Sequence, residues 1–156
     1  MTPDHLTTSL LTIVLLTCLA GCSKDQRIDV EYHATGTVLP TGLPFSDAVR
    51  VDDTLYVSGM VGVTPGTLQL VPGGIEPESR QTMENIRMTL AEHGATMDDI
   101  VKCTVMLADI SEWGTFNEIY KTYFTDHYPA RSALGANGLA LGARIEVECI
   151  AVLTSE

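Results

Sequence analysis

Apolar positions along the chain shift between two spacings, and each shift marks an element. Ala48-Val49-Arg50-Val51 and Thr54-Leu55-Tyr56-Val57 read as two strands, joined at Asp52-Asp53 by a hairpin turn. From Pro77 to His93 the spacing lengthens. Met83, Ile86 and Leu90 fall on one helical face, and Gly94 follows as a stop. Ile100 to Leu107 returns to a period of two, which predicts a strand. Val101, Cys103, Val105 and Leu107 are expected on one face, with Lys102, Thr104 and Met106 on the other. Ser111 is expected to cap a second helix running to Thr125, with Trp113, Phe116, Tyr120, Tyr123 and Phe124 as its apolar residues. Tyr128-Pro129 ends that segment, because a residue before proline avoids helical backbone.

The last strand has two distinct faces. Ile145, Val147, Cys149 and Ala151 point one way, under the helices, while Glu146, Glu148, Ile150 and Val152 point the other. A lone chain would leave Ile150, Val152 and Met106 exposed together, so a partner subunit is expected over that side. The order β-β-α-β-α-β predicts an α+β fold, a sheet with two helices packed on one face.

The first residues follow a different pattern. Leu10 to Ala20 is an apolar run well short of the ~20 residues a membrane-crossing helix needs, and it fits the core of a secretion signal. It ends at Leu19-Ala20-Gly21-Cys22, which resembles a bacterial lipobox with cleavage before Cys22 and acylation of its thiol. The stretch before it, Met1 to Ser9, carries no Lys or Arg. Residues 1–21 are therefore read as a lipoprotein signal peptide and 22–36 as a lipidated N-terminus and tether. Ser23 follows the lipidated cysteine, with no aspartate to retain the protein at the inner membrane. The expected location is the cell envelope, on the periplasmic face of the outer membrane.

Charge and cysteines narrow the chemistry. A formal net charge of -11 repels phosphate backbones, so nucleic acid is not expected as a partner. Of the four cysteines, Cys18 leaves with the signal and Cys22 carries lipid. Cys103 and Cys149 each sit in an apolar strand pattern. They read as two buried thiols, or as a disulfide if their strands are neighbours in the right register. His5, His33, His93 and His127 are scattered, and no pair has metal-ligand spacing, so no metal is expected.

Tyr128-Pro129-Ala130-Arg131-Ser132 stands out, with Glu146 following inside Arg144-Ile145-Glu146-Val147-Glu148-Cys149-Ile150-Ala151. Further anchors are Val57-Ser58-Gly59, Arg80-Gln81 with Glu84-Asn85-Ile86, Asp99-Ile100-Val101-Lys102, and Thr115-Phe116-Asn117-Glu118-Ile119-Tyr120. In this order they resemble the RidA (YjgF, L-PSP) family of enamine/imine deaminases, over about residues 42–153, and 37–156 is read as the RidA-like domain. The resemblance implies a chorismate-mutase-like fold with a mixed sheet, a homotrimer, and sites in clefts between subunits. It also implies that Arg131 grips the carboxylate of a small 2-imino or 2-oxo acid, as a planar guanidinium can with two parallel hydrogen bonds. Glu146 would activate water, Asn117, Ser58 and Phe45 would line the site, and the implied reaction would need no metal or cofactor, since a protonated imine is already a good electrophile. Phe45 stands where many family members have a tyrosine. Ala133 stands for a common cysteine, and the loop Gly135 to Gly142 lacks the usual proline.

Three functions follow from this reading. The first is hydrolytic deamination of 2-imino and 2-enamino acids to a 2-oxo acid and ammonia. The second is a trimeric lipoprotein that binds small carboxylates without turnover. The third, an L-PSP-type endoribonuclease, is opposed by the acidity. Without the resemblance, Arg131 would read as a surface strand residue paired with Glu148, and Glu146 as a solvated acid.

Overall fold

The hairpin turns at Asp52, whose backbone is left-handed (φ 50°), a conformation that aspartate tolerates better than most residues. The protein is described here by a computed structural model over residues 27–153. The expected signal peptide and the lipidation site Cys22 lie outside the described residues. Strands β1 (Val30–His33), β2 (Ala48–Val51) and β3 (Thr54–Val61) precede helix α1 (Ile75–Glu92). Then come β4 (Ile100–Leu107), α2 (Trp113–Tyr120), β5 (Ala130–Gly135) and β6 (Ile145–Val152). They form one six-stranded sheet in the order β1-β2-β3-β6-β4-β5, antiparallel except for the parallel pair β4–β5. The expected α+β architecture, a mixed sheet carrying two helices, is the one found.

Burial follows the period-two alternation of the central strand. Ile145, Val147, Cys149 and Ala151 of β6 are buried with Leu55, Val57 and Met60 of β3 and with Cys103, Val105 and Leu107 of β4. Met83, Ile86 and Leu90 of α1 and Phe116 and Tyr120 of α2 join them in one core. Gly62 lets α1 approach closely, since a Cβ there would lie 2.7 Å from the Glu78 carbonyl oxygen. Asn85, fully buried on α1, donates 2.9 Å hydrogen bonds to the carbonyls of Val61 and Val63, fastening the helix to the end of β3.

Several expectations are corrected. Val101 does not join the buried face of β4; it is 47% exposed, and Ile100 takes the core position. The cause is a register irregularity between Ile100 and Lys102 opposite β6, which shifts the alternation by one residue. The second helix stops at Tyr120 and continues only as a 3-10 turn, Lys121–Tyr123. Its approach is capped by Asp109, which accepts from the Ser111 backbone at 2.9 Å, so Ser111 is not the cap. Residues 30–33, expected as tether, pair with β2 as an edge strand. The His33 ring packs against His93 at the end of α1, with centroids 4.3 Å apart. Burial, then the neighbouring His33, lowers the His93 pKa, which favours its neutral form in the fold.

Cys103 stands directly opposite Cys149 in the β4–β6 ladder, their Cα atoms are 4.1 Å apart, and they form a disulfide. The reading of two free buried thiols is thereby corrected. Directly opposed residues of antiparallel strands bring their side chains close, and here both point into the core. Closing a separation of 46 residues restricts the unfolded chain. The double substitution Cys103→Ala/Cys149→Ala is expected to lower the unfolding free energy by about 2–4 kcal/mol in urea titrations. A change under about 0.5 kcal/mol would show that the link contributes no constraint.

Candidate functional site

The side of β6 that faces away from the helices carries Glu146, at the level where β6 is flanked by β3 and β4, opposite Val61 and Met106. Its carboxylate opens into a cleft of about 370 Å³, lined also by Ser58, Phe45, Leu43, Leu68 and Leu141. Burial, and secondarily the negative charge of Glu148, raise the Glu146 pKa above the usual carboxylate value. A carboxylate poised this way accepts a proton more readily than a solvated one. The register of β3 shifts between Val57 and Met60, around Ser58 and Gly59. Ser58 donates its hydroxyl to the Ser46 carbonyl at 2.6 Å, fixing the oxygen at the rim of the cleft.

Gly59 makes room for the acid. A Cβ at that position would collide with Glu146 Oε1 and lie 3.1 Å from its Cδ. The lead-in to β6 is held from two sides. Glu78 accepts from the Arg144 backbone N–H at 2.8 Å, and Glu112 receives Nε of the Arg144 guanidinium at 2.9 Å on each oxygen and Nη2 on Oε1. Two elements of the helical layer thus brace the backbone two residues before Glu146.

Arg131 lies on the edge strand β5, in parallel register with Cys103 of β4, and its side chain turns onto α2. The guanidinium carbon sits 4.6 Å from the Tyr120 ring centroid and 5.6 Å from that of Trp113, within cation–π range. Nη2 donates to Asn117 Oδ1 at 2.8 Å. The Tyr120 hydroxyl is raised to about 12 by burial, partly opposed by Arg131, so it stays protonated. None of the ion pairs found among the described residues involves Arg131, and the pairing with Glu148 is not formed. Arg131 and Asn117 line a second cleft of about 470 Å³ with Tyr128 and Pro129.

The candidate residues therefore fall into two groups within one chain. Arg131 and Asn117 share one cleft, and Glu146, Ser58 and Phe45 share another. Sequence reasoning missed the supporting residues. Gly59 stands in the family anchor Val57-Ser58-Gly59, but its part in making room for Glu146 depends on a contact between β3 and β6 that residue order does not show. Tyr120 and Trp113 read as helix core, and only their packing shows that they carry the guanidinium.

Residues 36–153 match the family described as endoribonuclease L-PSP. The chain belongs to this family, also called RidA/YjgF/L-PSP. A mouse relative named 2-iminobutanoate/2-iminopropanoate deaminase is 49% identical over 109 residues, covering 70% of this chain and 81% of the relative. An L-PSP crystal structure from Entamoeba histolytica is 38% identical, with a TM-score of 0.75, covering 80% of this chain and all of that one. Yeast Mmf1 is 34% identical with a TM-score of 0.76, covering 81% of this chain and all of its own. The L-PSP resemblance of the motifs is thus a family relationship, and the sheet-and-helix arrangement is the family's.

Because only the flexible end of Glu146 opposes a Cβ at position 59, Gly59→Ala is expected to displace the carboxylate while costing the fold little. The measurement pairs a thermal melt, expected within a few degrees of the parent, with imine turnover, expected to fall about tenfold or more. Unchanged turnover would show that the position of Glu146 does not matter.

Proposed function

We propose that this L-PSP protein is a hydrolytic deaminase of 2-imino and 2-enamino acids, releasing a 2-oxo acid and ammonia. One observation carries the reading: a guanidinium without a carboxylate partner among the described residues, held by Asn117 and two aromatic rings at the wall of a cleft. Such a group is prepared to take a substrate carboxylate. The names of the mammalian relatives support the same chemistry.

Arg131 and Glu146 belong to different clefts of one chain, and the sheet face between β3, β6 and β4 bears Tyr56 and Val152 exposed beside half-buried Ile150 and Met106. This supports a homotrimer in which the Arg131 cleft of one protomer meets the Glu146 cleft of the next. In that arrangement Arg131 holds the carboxylate and Glu146 takes a proton from water as its oxygen attacks C2 of the protonated imine. The resulting carbinolamine receives that proton on nitrogen. The C–N bond then breaks as the hydroxyl proton passes by way of the Glu146 carboxylate to the departing ammonia, leaving ketone and ammonium. A positioned base contributes roughly 10²–10⁴-fold to such a step, and orientation by Arg131 adds to it. The net charge of -11 weighs against RNA cleavage. The Leu10 to Cys22 pattern, together with a disulfide of the kind that persists outside the cytoplasm, supports export and lipid attachment at Cys22.

Arg131→Lys is expected to reduce turnover of enzymatically generated 2-iminobutyrate by at least about 10²-fold, because an ammonium cannot reproduce the fork. Binding of a 2-oxo acid without any turnover by the parent protein would select the carboxylate-binding alternative. Glu146 must be ionised to act, so kcat/KM is expected to rise with pH through a pKa displaced upward from that of an ordinary glutamate. Glu146→Gln should lower the rate about 10²–10⁴-fold and abolish that acid limb. An acid limb that persists in Glu146→Gln would assign the base elsewhere. For location, Cys22→Ser is expected to move the protein from the membrane pellet to the soluble fraction; retention in the pellet would rule out lipid on this thiol.

A further inference from the structure

The cleft that holds Glu146 is walled mainly by hydrocarbon. Phe45 is 49% exposed, Leu68 44% and Leu141 53%, and all three converge on it beside Leu43. Exposed large apolar side chains are unremarkable singly, but a convergent group around one polar side chain marks a binding groove. Leu141 adds an independent sign. Its backbone is left-handed (φ 60°, ψ 8°), a strained state for leucine and a natural one for glycine, between Ala140 and Gly142. That conformation sets an isobutyl group at the mouth of the cleft, where a glycine would leave open space.

Size points the same way. The cleft offers about 370 Å³ on a single protomer, more room than the methyl or ethyl side chain of the smallest 2-imino acids occupies. Their carboxylate would in addition lie toward Arg131, outside this space. We infer that Leu141, Phe45, Leu68 and Leu43 form a side-chain subsite that selects 2-imino acids with bulky apolar side chains, branched or aromatic, over those with one or two carbons. The subsite disfavours acidic side chains, since Glu146 shares the cleft and no Lys or Arg lines it. Phe45 contributes a ring without a hydroxyl, so nothing at that corner requires a polar partner. This inference rests on the deaminase reading above and specifies its substrate class.

The test uses the full purified chain and imines generated in place by an L-amino-acid oxidase from leucine, phenylalanine, alanine and 2-aminobutyrate. Disappearance of the imine is followed against its spontaneous hydrolysis. The leucine-derived imine is expected to exceed the alanine-derived one in kcat/KM by about tenfold or more, a typical discrimination by an apolar pocket. Leu141→Gly and Leu141→Ala are each expected to cut that ratio about three- to tenfold. The Gly variant should melt at or above the parent Tm, because it removes the strain together with the side chain.

Equal or faster turnover of the alanine-derived imine overturns the subsite while leaving the deaminase reading standing. Turnover of none of the imines overturns both. A ratio that survives both Leu141 substitutions, with a lower Tm and loss of the oligomer in sedimentation, assigns Leu141 to a subunit contact and overturns its role in selection.

Discussion

The register of β6 between β3 and β4 is the constraint on which the rest of this structure depends. Its residues alternate strictly, so one set enters the core and the other faces away from the helices. A slip of a single residue would drive Glu146 and Glu148 beneath α1 and bring Cys149 out of the core. The disulfide to Cys103 ties β6 to β4 at one level, and the ladder to β3 ties it on the other side. Glu146 owes its place to this double attachment, and Gly59 and the braced Arg144 refine it.

Arg131 is positioned by different means. It sits at the sheet edge, where β5 has only β4 as a neighbour, and its strand is otherwise largely exposed. Strand pairing alone would leave a long side chain there free to wander. The rings of Tyr120 and Trp113 and the Asn117 carbonyl oxygen supply the restraint, all from α2. The short helix therefore has two tasks, closing the core with Phe116 and carrying the cation.

Much of this was readable from residue order. The hairpin around Asp52-Asp53, α1, β4 and the two faces of β6 follow from periodicity because each is a regular element whose burial decides its pattern. Departures arose where a local irregularity outweighs the period. The irregular start of β4 turned Val101 outward, and the Asp109 cap with a 3-10 turn replaced a long second helix. Strand β1 lies inside the stretch that reads as tether, and β5 shows in the sequence only as a possible surface strand at Arg131, since edge strands are short and polar enough to resemble linkers. The cysteine pairing could not be decided without knowing which strands are neighbours. Arg131 and Glu146 were picked out by the family motif, whereas their separation into two clefts depends on the side of the sheet each occupies.

The Glu146 cleft holds two features that work against the folded state. A carboxylate whose pKa is raised on folding is worse solvated in the native protein than in the unfolded chain, so above its unfolded pKa it subtracts stability. Leu141 adds a backbone conformation that leucine adopts only at a cost. Directed evolution that rewarded heat resistance alone would therefore drift toward glutamine at 146 and glycine at 141, producing hardier proteins with a blank cleft. Thermostability screens on this scaffold would need a second criterion to keep that corner of the molecule intact.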